Sequence, residues 1–423
     1  MARILLTWEL GSGFGHVASL AAIAGNLRER GHQLVAALRN PAAAESFFSP
    51  LGVPCIAAPK PALLPRAEAN SFPIATYADL LSLVGFNASE TISPVLNGWD
   101  RIFADVDPDV VVFDHSPFAL LAAIGCRFGK LQHSTGFCIP PDVSPLPPLR
   151  PWLLRTPDEG QQREERLLAA INESLQARNL PALDRLADLY HGADENWLAT
   201  YEELDHFGHE TRPGAHDNPS NDWAATRSSP TQTLSATCYQ GITPPPANGL
   251  RPDWPSGNGP RIFAYLQSDP TSLPLIAALG RLGYPTIARI AGIRSSHELQ
   301  SFKSIKIISE AIDVTHIAAH CDLAVLSGGH GTLAAILLAG KPVVIVPIQL
   351  EQLLLAKRCE ESGFGIGSPS VDVRYFTNAV AKITTDSSYR TRARAFADRY
   401  HSFGPARQLQ LLSDRIEDLA PSL

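Results

Sequence analysis

Charge is scarce in this sequence: Asp, Glu, Lys and Arg make up 18% of its 423 residues, against about 25% in ordinary chains. Basic residues are the scarcer sign, with 35 Lys and Arg against 42 Asp and Glu and a formal net charge of −7. The composition therefore lacks the positive excess that neutralises a phosphate backbone, which argues against a nucleic-acid partner. Long apolar runs are also missing. Even the richest region, Leu333 to Ile348, falls short of the roughly 18 residues of a membrane span. The opening residues offer Arg3 and a short apolar run broken by Glu9, an opening strand rather than a secretory signal. No two of the six cysteines (Cys55, Cys126, Cys138, Cys238, Cys321, Cys359) form a CxxC pair. They read as reduced thiols of a cytoplasmic protein.

What is present builds cores. Hydrophobic residues reach 45%, which excludes a mainly disordered chain, and the length fits two or three domains. Proline is abundant at 35 residues, above its usual share of about 5%, so long loops or a linker accompany the packed parts. Strand and helix signals alternate from the start. Ile4 to Trp8 is a short apolar run, and Gly11-Ser12-Gly13-Phe14-Gly15-His16 is a glycine-rich turn. Val17, Leu20, Ala21, Ala24 and Leu27 then repeat at helical spacing. Gln33–Leu38 and Val110–Phe113 are further strands, and Phe118–Ile124 is a helix. Unalternated apolar strands separated by helices indicate a parallel sheet covered on both faces.

A proline-rich loop follows Pro140, and helical spacing returns over Glu164–Leu189. Between Gly208 and Cys238 the only large apolar residues are Trp223 and Leu234. Such a stretch cannot offset its own ordering entropy and reads as a linker with a long, poorly ordered loop. The α/β pattern restarts at Arg261, with strands at Ile262–Leu266, Thr286–Ile290, Lys306–Ser309, Leu323–Leu326 and Pro342–Val346. The predicted organisation is a Rossmann-like domain over 1–205, a linker over 206–260, a second Rossmann-like domain over 261–390 and a helical tail over 391–423.

The strongest local signal is a strand running into Ser327-Gly328-Gly329-His330-Gly331-Thr332, which opens a helix. Glycines let a backbone approach a ligand closely, and amides at a helix start attract anions, so a diphosphate is the natural guest. A single glycine would be explained by turn geometry; three before Thr332 favour the ligand. Glu351 and Gln352 follow the next strand and suit a polyhydroxyl ligand, although capping alone would explain such a pair. In the first half, His16 and Asp114 both fall at carboxyl ends of strands, where ligands of open α/β sheets gather. Taken alone, His16 is explained as a helix N-terminal residue that contributes only to the turn, although a neutral imidazole is also suited to proton transfer near pH 7. Other residues have blander readings. Asp105-Val106-Asp107 precedes its strand and is a solvated loop, His32 belongs to a helix end, and His316 with His320 is an incomplete zinc site.

Ser327–Thr332, Gly340-Lys341-Pro342, Val343–Pro347 and Glu351-Gln352 together resemble the nucleotide-sugar half of GT-B-fold glycosyltransferases. The family concerned is that of the UDP-glycosyltransferases and the bacterial antibiotic (macrolide-type) glycosyltransferases. The resemblance implies an α/β GT-B fold, two Rossmann-like domains with a cleft between them, the first binding the acceptor. It implies an inverting, metal-independent hexosyl transfer from a UDP- or dTDP-type sugar donor, with no cofactor, to a hydroxyl-bearing small molecule or lipid. It assigns the base to His16 with Asp114 as its partner. Donor contacts fall to Gly13, Ser268, Ile312, Ser327, Gly328, Gly329, His330, Gly331, Thr332, Glu351 and Gln352, and acceptor contacts to His115 and Phe137.

Three departures bear on this. Ser327 stands where the family has a phosphate-binding histidine, with His330 three residues on as a compensating candidate. Ala335 stands where the family has a ribose-binding glutamate, and Glu351 replaces the commoner aspartate. A catalytically weakened nucleotide-sugar-binding homologue is therefore the second reading. An epimerase of the same fold has only Glu351 in its support. A nicotinamide enzyme is disfavoured because Gly11–Gly15 lacks GxGxxG spacing and the second strand ends at Arg39-Asn40 rather than at an acid.

Overall fold

The computed structural model describes residues 1–11, 14–61, 74–212, 216–217, 236–245, 249–267, 272–290, 301–369, 372–402 and 404–420. The chain divides into two compact units, one of residues 1–199, 209–240 and 409–423, the other of residues 200–208 and 241–408.

The first unit is built on β1 (Arg3–Trp8), β2 (Gln33–Leu38), β3 (Cys55–Ala57), β4 (Val110–Asp114), β5 (Gly129–Ser134), β6 (Glu195–Leu198), β7 (His216–Asp217) and β8 (Ala236–Tyr239). They form one sheet in the order β3-β2-β1-β4-β5-β6-β8-β7, and every pairing is parallel. Ile4, Leu5, Leu6 and Val110–Val112 are buried, as expected of strands covered on both faces. The helix Gly15–Glu29 lays Val17, Leu20, Ile23 and Leu27 against Ile4 and Leu6. Each such fully buried side chain contributes about 1.5–3 kcal/mol.

Three stretches depart from the sequence reading. The helix expected over 164–189 runs instead over Glu159–Gln176, because Asn179 takes a left-handed φ of 56° and Pro181 follows. A short helix, Asp188–His191, resumes beyond it. Within the stretch read as a linker, β7 and β8 extend the first sheet, and Cys238 and Tyr239 are buried there. Only four residues long, β8 leaves no periodicity to read. Tyr201 and Leu204 belong to the second unit's core. The end of the helical tail returns to the first unit: in the helix Pro405–Asp418, Leu412 and Ile416 join its core. Arg30 reaches Asp414 at 2.6 Å and Glu417 at 2.9 Å, while His32 Nε2 meets Glu417 at 2.7 Å. Asp107 pairs with Arg3 at 2.5 Å, before β4 and away from its carboxyl end.

The second unit carries β9 (Ile262–Leu266), β10 (Thr286–Ile290), β11 (Ile305–Ile308), β12 (Leu323–Leu326), β13 (Val343–Ile345) and β14 (Gly365–Gly367). Their order is β11-β10-β9-β12-β13-β14, again all parallel. In each unit the strand order reverses beside the first strand, between β1 and β4 and between β9 and β12. Such switch points open a crevice at the carboxyl ends of the strands. No helix among the described residues is long and apolar enough to cross a membrane.

Candidate active site

The switch point of the first unit holds a histidine–carboxylate pair. Pairing of β1 with β4 sets Trp8 beside Asp114, and the turn after β1 leads into the helix whose second residue is His16. His16 Nδ1 lies 2.9 Å and 3.0 Å from the two Asp114 oxygens. A carboxylate only accepts, so Nδ1 carries the proton and Nε2 is the basic nitrogen. Ser134 Oγ, at the end of β5, donates to Asp114 Oδ1 at 2.6 Å. Burial pushes the Asp114 carboxyl up, but the His16 charge and the hydrogen bonds from His16 and Ser134 hold it below its ordinary value. Asp114 is therefore an anion although only 2% exposed. The Trp8 indole stacks on His16 with centroids 5.6 Å apart.

Backbone conformation is special here. Gly11 has φ +93°, and a Cβ there would stand 2.8 Å from His16 Nε2 and 3.4 Å from His115 Nδ1. His115 itself is left-handed, with φ 45°, a strained conformation for a residue with a side chain. Burial and the nearby His16 push its imidazole down to about 3, so it is neutral near pH 7. Phe137 is buried and presents its ring edge-on to His115 at 6.4 Å and to Tyr77 at 6.2 Å. The structure thus gathers His16, Asp114, His115 and Phe137. Gly13 lies outside the described residues.

The switch point of the second unit carries the glycine-rich turn. Gly328 has φ +94°, and a Cβ there would meet Ile345 Cγ2 at 3.1 Å and Gln352 Cβ at 3.2 Å. Gly329 caps the helix His330–Leu338 without a side-chain hydrogen bond, and among the described residues nothing lies within 4 Å of the Cβ positions of Gly329 and Gly331. An uncapped helix start offers backbone amides to an anion. Ser327 is buried, and its Oγ accepts the Gln267 amide at 3.0 Å. His330 points inward: Nε2 is 2.7 Å from Thr200 Oγ1, and its ring lies 5.8 Å from that of His206. Burial, opposed by Asp205, drives His330 down to about 4. A neutral His330 brings no positive charge to the turn, so its capacity to attract an anion is limited to the amides and the helix dipole.

Glu351 and Gln352 open the helix Leu350–Glu361. Gln352 is buried, and its Oε1 accepts the Ile348 amide at 2.9 Å, bracing the loop rather than reaching outward. Glu351 Oε1 lies 3.8 Å from His206 Nε2. Ala335 packs in the core. Ile312 is buried and pairs through its backbone with Leu250. Ser268 lies outside the described residues.

No family model matches the chain. A sterol 3-beta-glucosyltransferase of Vanderwaltozyma polyspora is 43% identical over 72 residues, 17% of this chain and 6% of that protein. The chain thus matches only a small part of the curated relative's length. The glycotransferase of kitacinnamycin superposes over 99% of both chains, with TM-score 0.70 and 15% identity. The calicheamicin glycosyltransferase CalG4 gives TM-score 0.69 and 18% identity over 99% of this chain and 98% of that one. The fold is that of the GT-B glycosyltransferases. Spinosyn rhamnosyltransferase SpnG complexed with thymidine diphosphate shares the GT-B architecture at TM-score 0.62 and 14% identity, over 97% of this chain and 100% of that one.

Sequence reading missed several residues of this GT-B chain. Trp8, Gly11 and Ser134 shape the His16–Asp114 pair, and buried Glu9 directly follows Trp8. Glu9 accepts the Phe118 amide at 2.9 Å and the Trp99 indole N–H. Burial raises its carboxyl to about 8. Glu9 carried one signal, a carboxylate directly after an apolar strand; Ser134 carried none, because its neighbour Asp114 is set by strand order.

Proposed function

We propose that the chain is an inverting, metal-independent glycosyltransferase that moves a sugar from a nucleoside-diphosphate sugar to a hydroxyl group of a small-molecule or lipid acceptor. The observation that carries this reading is the His16–Asp114 contact at 2.9 Å, at a switch point of a GT-B fold. His16 Nε2 takes the acceptor's proton as the hydroxyl oxygen bonds to the anomeric carbon. The bond from that carbon to the diphosphate oxygen breaks on the opposite face, inverting the configuration. Asp114 steadies the imidazolium that forms. The amides of the 327–332 turn and the dipole of the helix His330–Leu338 receive the departing negative charge. SpnG, with its bound thymidine diphosphate, supports a diphosphate donor, and the sterol glucosyltransferase match supports an apolar acceptor with a hydroxyl.

Calorimetric titration with UDP, dTDP and GDP, followed by transfer assays with their sugars, tests the proposal. Binding of at least one diphosphate and a product of inverted anomeric configuration are expected; no binding of any of them would sink the donor-site reading. A donor-binding homologue with weakened catalysis is the second reading. Ser327 favours it, since its hydroxyl already accepts the Gln267 amide and stands in for a histidine. Measurable turnover by the purified protein would refute that alternative.

A further inference from the structure

We propose that His16, His115 and Cys138 form a site for a borderline-soft divalent transition ion of the Zn²⁺ type, and that an ion bound there silences the His16 base. One ligand atom from each of the three lies within 4.8 Å of the others. They come from three separate segments: the first turn of the helix Gly15–Glu29, the residue after β4, and the loop after β5. Two imidazoles and a thiolate suit Zn²⁺ or Cu²⁺ and not Mg²⁺ or Ca²⁺, which take oxygen ligands. Zinc–nitrogen bonds of about 2.0–2.1 Å and a zinc–sulfur bond of about 2.3 Å place tetrahedral ligand atoms about 3.3–3.6 Å apart. Closing the site therefore requires side-chain movements of about 1 Å.

Three further features belong to a metal site. Asp114 holds His16 Nδ1 at 2.9 Å, which fixes the tautomer and aims Nε2 at the ion, the carboxylate–histidine–metal arrangement of zinc proteins. His115 Nδ1 is buried and has no hydrogen-bond partner among the described residues, a condition that an ion would relieve. Thr135 Oγ1 donates to Cys138 Sγ at 3.5 Å, which favours the thiolate. Binding exchanges the thiol proton for the ion: a metal–sulfur bond and two metal–nitrogen bonds form, one proton passes to solvent, and no redox change occurs. Gly11, whose missing Cβ leaves room for both imidazole nitrogens, lets the ligands converge. The fourth position is left to water or to an acceptor hydroxyl. Once Nε2 is bound to metal it cannot accept a proton.

Inhibition rests on the proposed role of His16; binding of the ion does not. The protein, stripped with a chelator, is titrated with Co²⁺ and then Zn²⁺. One Co²⁺ per chain is expected, with visible d–d bands and a near-ultraviolet thiolate-to-cobalt band, all abolished by stoichiometric Zn²⁺. Turnover of the wild type should fall in step with Zn²⁺ occupancy and return with chelator. Cys138→Ala should keep its metal-free turnover, lose the thiolate band and bind Zn²⁺ more than tenfold more weakly. That bound is conservative, since removal of an outer partner alone costs about 10–100-fold. His115→Gln serves as a second variant for binding and should perturb the cobalt bands. No thiolate band, or a band that survives in Cys138→Ala, would overturn the site. Full occupancy with unchanged turnover would overturn the inhibition. If His16→Ala still transfers sugar at the wild-type rate while wild-type protein gives the cobalt spectrum, the base assignment and the inhibition fall and the metal site stands.

Discussion

Asp114→Asn isolates the charge of the carboxylate from its geometry. The amide has nearly the same shape, its oxygen can still accept from His16 Nδ1, and only the negative charge is removed. In the proposed mechanism that charge matters most when His16 becomes an imidazolium during proton transfer. His16 Nδ1 and Asp114 Oδ1 are 2.9 Å apart, and their side chains are 15% and 3% exposed. Opposite charges with centres about 4 Å apart attract by about 4 kcal/mol at an effective dielectric of about 20. At about 1.36 kcal/mol per tenfold in rate, loss of that attraction slows the chemical step by about 10³-fold. Donor affinity should stay within about twofold, because the proposal assigns the donor to the amides of the 327–332 turn. The assay is kcat under saturating acceptor, with donor dissociation constants measured by calorimetry on the same preparations. The double variant with His16→Ala should be little worse than His16→Ala alone, since on the proposed assignment the two residues act as a unit. A kcat within tenfold of wild type, or an equal loss of donor affinity, would refute the assignment.

Three other expectations follow from the packing. Gly328→Ala forces a Cβ into a turn with φ +94° and contacts of 3.1 and 3.2 Å; it should lose about 1–3 kcal/mol of stability and most of its nucleoside-diphosphate binding, and unchanged affinity by titration would refute the anion-turn reading. Glu9 has its carboxyl raised from 4.5 to about 8, so the folded state binds its proton more tightly than the unfolded one. Its contribution is complete below pH 4.5 and declines as pH rises to about 8, by about 3 kcal/mol near pH 7. Glu9→Gln should flatten that slope in denaturant unfolding at several pH values, whatever constant penalty it carries; an unaltered slope refutes the reading. Arg415 and Glu195 are a buried pair, each side chain 7% exposed, so Arg415→Ala should lower stability by about 3–5 kcal/mol. Replacing both partners with Met should recover much of it, and a double variant as unstable as the single one would contradict the argument.

Much of the fold was legible because its strands are short apolar runs and its helices carry regular spacing. Ile4–Trp8, Val110–Phe113 and Leu323–Leu326 fall where strands occur. The exceptions have physical causes. β14 is Gly-Ile-Gly, too short and too poor in β-formers to register. The helix expected to reach Leu189 stops at Gln176 because a left-handed Asn179 and Pro181 outweigh apolar spacing. The excess of proline marked loops correctly after Pro140, but it also concealed β8, whose strand identity comes from pairing with β6.

By itself, the sequence determined which chemical groups exist and on which local elements: a histidine in a helix's first turn, an aspartate ending a strand, and three glycines opening another helix. Local spacing and backbone preference suffice for that. Tertiary structure decided what these groups meet. Parallel pairing of β1 with β4 joins His16 to Asp114 across 98 residues, and β5 then supplies Ser134. Burial turned His330 toward Thr200 and made it neutral, Gln352 toward its own loop, and Glu9 into a protonated acid. It also brought His16, His115 and Cys138 within one ion's reach. Contacts of that kind depend on strand order and dielectric surroundings, which belong to the assembled sheet and not to any window of the chain.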